Sequence, residues 1–197
     1  KAFDQNEVED DTVLLKAMAS AKAGKKAFHI MGLLSDGGVH AHIEHIKKLC
    51  IIAQEYGLKN IYVHAFLDGR DTDPRSGFGY LQDLQSSIAG TNAKISTVVG
   101  RYYAMDRDER WERVKVCYDL LVHGTGKLAG SIEAIHDEYN EGITDEFIKP
   151  TVMVDADGNP TFLTASFPPT SFPFMRSSAN MDASSSFSGT GWNANKV

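Results

Sequence analysis

Cysteine is scarce: Cys50 and Cys117 are the only two in 197 residues. Each lies in an apolar helical pattern, so they make no disulfide framework and read as buried thiols of a reducing cytoplasm. Basic charge is also short. Lys and Arg total 20 against 26 Asp and Glu, a net charge of −6. That argues against sequence-independent nucleic-acid binding, which needs a basic footprint to neutralise phosphates. No apolar run approaches the ~20 residues that span a bilayer, so no membrane partner is expected. No signal peptide is legible, and the chain has no internal repeat. It opens on Lys1 rather than Met, as a piece of a longer gene product would. Familiar catalytic signatures are missing too. There is no HExxH, no Cys/His finger, no GxxxxGK[ST] loop and no G-x-S-x-G elbow. Neither cysteine has an obvious histidine partner, so no nucleophile is evident within the chain.

What is present is enough apolar material for a core: 42% hydrophobic and 10% aromatic residues, too much for a disordered protein. At ~150 residues per domain, the length suits one large domain, or one domain plus a tail. Short apolar runs alternate with amphipathic stretches, which points to an α/β fold, a three-layer sandwich with a mainly parallel sheet. Strands are expected at 28–34, 61–67 and 94–99, with helices at 39–56, 76–89 and 108–123. The last of these carries Trp111, Val114, Tyr118 and Leu121 at helical spacing and stops at Gly124. Asp11 suits the N-cap of a helix over 12–23 that Gly24 ends. Ser131 suits the cap of a short helix ending near Gly142. Residues 151–154 read as a strand and 157–160 as a turn. The expected domain covers 1–163. From 164 to 197 the chain is crowded with Ser, Thr, Pro and Phe, has three charges (Arg176, Asp182 and Lys196) and shows no period; it reads as an irregular tail.

The functional signal lies in three polar loops, each following an apolar strand. The first is Ser35-Asp36-Gly37-Gly38-Val39-His40-Ala41-His42, the second runs from Asp68 to Arg75, and the third from Gly100 to Asp108. In open α/β sheets, ligands bind beyond the carboxyl ends of the strands. Parallel strands would therefore gather Arg70, Arg101, Arg107 and Arg75 at one rim, with His40 and Asp71 among them. Guanidinium forks match carboxylate and phosphate oxygens, so the expected ligand is small and multiply anionic. The plainer alternative pairs these arginines with Asp68, Asp71, Asp73, Asp106 and Asp108 as solvated surface bridges. His40, His42 and His45 also raise the possibility of a metal, since His42 and His45 are three apart on a helix. Their spacing matches no known ligand motif, and His40 reads better as a loop donor to an anion.

At these same residues the chain resembles a known family. MGLLSDGGVHAH (31–42), FLDGRDTDP (66–74), VGRYYAMDRDERWER (99–113) and DEFIKPTV (145–152) are similar, in order, to segments of the cofactor-independent phosphoglycerate mutases. With their connecting helices they cover about residues 11–160. The resemblance implies an enzyme that interconverts 3-phosphoglycerate and 2-phosphoglycerate in glycolysis. It implies a phosphatase-like domain holding a serine nucleophile and two divalent ions, usually Mn2+, and a second, inserted domain that binds the glycerate. This chain looks like the inserted domain alone, with no metal of its own. Position by position, His40, Arg70, Asp71, Arg101 and Arg107 fall on substrate-contacting residues. Asp71 falls on the residue given general acid/base work at the glycerate hydroxyls. The phosphatase-like domain is thus the implied partner. The chain departs from the family where an FNFRxDR-like segment is expected after the 150s and TFLTASFPPTSFPFMRSSANMD stands instead. Two other functions remain open: a non-catalytic module binding an acidic metabolite, and a metal-dependent hydrolase built on His40, His42 and His45.

Overall fold

A computed structural model describes residues 7–162; the irregular stretch expected over 164–197 lies outside them. Helix α1 (Thr12–Ala23) begins where Asp11 accepts from the amides of Val13 and Leu14 at 2.9 and 2.8 Å, and ends at Gly24. Next come β1 (Phe28–Leu33), α2 (Ile43–Glu55), β2 (Ile61–Leu67), α3 (Gly77–Ser87) and β3 (Ala93–Gly100). A short α4 (Arg101–Ala104) leads to α5 (Trp111–His123), then β4 (Lys127–Ala129), α6 (Ala134–Asn140) and β5 (Thr151–Met153). The sheet order is β1-β2-β3-β5-β4. β1, β2 and β3 pair in parallel, as short β–α–β crossovers require. β5 runs antiparallel to β3, and β4 parallel to β5.

Two buried clusters explain the three layers. On one face Met18, Ile46, Cys50, Leu81, Leu84 and Ile135, from α1, α2, α3 and α6, pack on Val63 and Leu67 of the central strand. On the other, Cys117 and Leu120 of α5, with Phe162, pack on Tyr62, Val99 and Val152. β2 is accordingly apolar on both sides, the pattern of a central parallel strand. Both cysteines are buried, which pushes the Cys50 thiol up to about 12 and the Cys117 thiol up to about 11. Among the described residues no helix is long and apolar enough to cross a membrane.

Three expectations need correction. The helix read at 39–56 starts only at Ile43, because His42 is its N-cap and the residues before it form the rim loop. The helix read at 108–123 is shorter, because the Asp106 carboxylate accepts from the amides of Asp108 and Arg110 at 3.2 and 2.8 Å. That side-chain turn competes with helix, and Glu109 adopts φ 58° within it. Finally, the apolar stripe read on this helix faces largely outward: Trp111 is 70% exposed and Tyr118 55%, while Cys117 and Leu120 are buried.

Candidate anion site at the carboxyl rim of the sheet

Because β1, β2 and β3 are parallel, their ends at Leu33, Leu67 and Gly100 open onto one rim. Asp68, the first residue beyond β2, ties the three loops together. Its carboxylate accepts from the Ser35 hydroxyl at 2.7 Å, from Arg101 Nη1 at 2.6 Å, and from the amides of Arg70 and Asp71 at 3.2 and 3.0 Å. Burial works to raise the Asp68 pKa, but the Asp71 amide, the Ser35 hydroxyl, the Arg101 guanidinium and the Arg70 amide outweigh it. The carboxyl therefore lies below its ordinary value.

Arg101 Nη1 also donates to Asp71 Oδ2 at 2.7 Å. Its side chain is nearly buried, and although burial opposes its charge, Asp71 and Asp68 hold its pKa above the ordinary value. Asp71 is partly exposed and faces His40, whose Nε2 lies 3.8 Å from Oδ2. Arg70 is half exposed, with Nη1 3.7 Å from Glu146 Oε1. Arg107 is exposed on the third loop. That loop is braced by Arg113, which donates to the buried Asp106 carboxylate at 3.1 Å while its guanidinium stands 3.9 Å over the Tyr102 ring. Arg75 lies over Tyr139, 5.9 Å from the ring centroid.

The plainer alternative thus describes Arg101, which is spent on two aspartates, but not Arg70 and Arg107. His42 caps α2 by accepting from the Glu44 amide at 3.2 Å, and its ring lies 5.8 Å from that of His45. His40 points instead to Asp71. Among the described residues no group of three or more His, Cys, Asp or Glu side chains converges as a metal donor set, so nothing in the geometry favours the histidine-cluster hydrolase.

Sequence reading missed Asp68 as the hub, and it missed the Asp145–Glu146 turn. Asp145 is fully buried, accepting from the Gly77 amide at 2.7 Å and from the Tyr139 hydroxyl. Burial raises its pKa above the carboxylate norm. The turn fits against glycines of the loops: a Cβ would stand 2.8 Å from the Glu146 nitrogen at Gly69, and 2.2 Å from the Glu146 carbonyl oxygen at Gly100. Only glycine permits that approach. The DEF run (145–147) carried the signal, but nothing local said which loops it meets.

The family description "BPG-independent PGAM N-terminus" matches residues 1–165. The 2,3-bisphosphoglycerate-independent phosphoglycerate mutase of Parabacteroides distasonis is 52% identical over 157 residues, 79% of this chain and 31% of that protein. The enzyme of the same name from Clostridium novyi is 49% identical over 162 residues, 81% of this chain and 32% of its own length. Among solved structures, Leishmania mexicana phosphoglycerate mutase, crystallised at low cobalt concentration, aligns with a TM-score of 0.74 at 31% identity. The alignment covers 81% of this chain and 31% of that one. This chain therefore spans about a third of its relatives' length and belongs, as the N-terminal part, to the 2,3-bisphosphoglycerate-independent phosphoglycerate mutase family.

Proposed function

We propose that residues up to about 163 form the substrate-binding domain of a phosphoglycerate mutase that interconverts 3-phosphoglycerate and 2-phosphoglycerate in the cytoplasm. In this reading a separate phosphatase-like domain of the same enzyme supplies the serine that carries the phosphoryl group, and it holds two Mn2+ ions. The described residues offer no donor set for those ions, so the work of this chain rests on its own side chains. Arg70 and Arg107 are free to pair with the ligand's carboxylate and phosphate oxygens, and His40 donates to the same anion. Arg101, fixed by Asp68 and Asp71, sets the positive floor of the rim. Asp71 takes and returns the proton at the glycerate hydroxyls, because an alkoxide is a poor leaving group.

The observation that carries this reading is one rim where a buried Asp68 fixes Arg101 and Asp71 while Arg70 and Arg107 stay exposed. Titration calorimetry tests it. The 197-residue chain should take up 3-phosphoglycerate at low salt, and weaken as salt screens the arginines. Arg107→Ala should cost about 10- to 100-fold in affinity, the range for a charge-assisted hydrogen bond. No heat with phosphoglycerate, or full affinity in Arg107→Ala, would overturn the assignment.

A further inference from the structure

The two edges of the sheet are built differently. At one edge, β4 is three residues long and begins with a lysine (Lys127–Ala129). Short length and charge are the ordinary ways to keep an edge from pairing. At the other edge, β1 is six residues, FHIMGL, with no Lys, Glu, Asp or Pro. Its bonds to β2 run from the Phe28 amide to the Asn60 carbonyl at 2.8 Å and, just past its end, from the Leu34 amide to the Phe66 carbonyl at 2.7 Å. Alternation along a parallel strand then turns the amides of His29 and Met31 toward the outer edge. Among the described residues no strand lies there.

The sheet face beside this edge is half covered. Tyr62 and His64 on β2 are 6% and 2% exposed, whereas Met31 on β1 is 56% exposed. Phe162, the last described residue, lies at this same place. It sets its ring edge-on to His64, 5.5 Å between centroids, and His64 stacks on His29 of β1 at 5.2 Å. Phe162 therefore stands over β2, one strand spacing of ~4.8 Å from the bare edge. The longer relatives continue well beyond the matched region.

We infer that β1 is the seat of a sixth strand, supplied by the stretch immediately beyond the matched region in the full-length enzymes. Main-chain bonds to His29 and Met31 would give the affinity, and the exposed face of Met31 and His29 would be covered by its side chains. The inference rests on membership of the longer family and not on the ligand assigned above, so the calorimetry can fail while this stands, and the reverse.

The test is residue-resolved amide exchange on the 197-residue chain. The probe is a synthetic peptide of about 12 residues, long enough for one strand, with the sequence of the segment just C-terminal to the matched region of the Parabacteroides distasonis enzyme. Saturating peptide should slow the His29 and Met31 amides about tenfold or more, and leave Ile30, already bonded to β2, unchanged. Met31→Lys, a charge on an exposed edge position that the fold tolerates, should abolish the slowing. The inference falls if the two amides do not slow, or if peptide protects another element instead. It also falls if they are protected without peptide, whether at any dilution or only as protein concentration rises, the mark of two copies pairing edge to edge.

Discussion

The Asp71 carboxylate stands 2.7 Å from Arg101 and 3.8 Å from His40. The second aspartate of the LDGRD run could have served only to shape the turn, but that task falls to Asp68, which accepts the Arg70 and Asp71 amides. Sequence could not divide these roles, because both residues suit a turn and only burial separates them. With Asp71 freed for chemistry, Asp71→Asn in a full-length enzyme containing this domain should lower kcat about 100-fold or more, with KM little changed. The amide keeps the shape and cannot carry the proton. Near-normal turnover would refute the proton-transfer role, and a fall in Tm alongside turnover would return Asp71 to the turn. A second residue sets a pH limit on the fold. Burial, and then the neighbouring His29, lower His64 from the usual 6.5 to about 4. The unfolded chain therefore binds the extra proton more readily between those values. The stability conferred by neutral His64 is complete above pH 6.5 and is lost as pH falls toward 4. The loss should be on the order of 3 kcal/mol, and Tm measured across that window should fall less steeply in His64→Gln.

Helix α5 shows how far periodicity carries at the scale of an element. The repeat and the terminating Gly124, which adopts φ 64°, were legible in sequence. The buried face was not, because α5 has apolar residues on two stripes and the sheet takes only one. Trp111, Val114, Tyr118 and Val122 form the outward stripe; Cys117 and Leu120 fill the space over Val99 and Val152. Leu120→Ala should therefore cost about 2–5 kcal/mol of unfolding free energy, whereas Trp111→Ser should stay within about 0.5 kcal/mol. Urea titrations that gave the larger loss at Trp111 would reverse the face assignment. The rim loops show the opposite limit. Val39 looked like the first turn of α2 by pattern, yet it is 65% exposed in the loop that carries His40. His42 could be recognised as a cap only once the backbone was placed.

For the whole molecule, local signals carried the first half of the fold and gave way in the second. Each strand of β1, β2 and β3 is an apolar run closed by Gly, Asp or Ser, and the crossovers between them are short, so pairing and rim followed from sequence. β4 went unread at three residues, and β5 turns antiparallel against β3 for reasons that lie in distant contacts. The turn at 145–147 belongs to the same class. It meets Gly69, Gly77 and Gly100 across at least 45 residues of chain, and spacing along the sequence holds no record of that meeting. This last contact also bears on the order of biosynthesis. A ribosome delivers Ser35, Asp68, Asp71 and Arg101 well before Asp145 and Glu146. The nascent chain can thus pair its first three strands and close the Asp68–Arg101 cluster, while the glycine-lined gap between the loops stays empty. Emergence of the DEF turn then works as a latch: the rim gains its final rigidity only once Phe147 has left the ribosome, long after its charged residues have met.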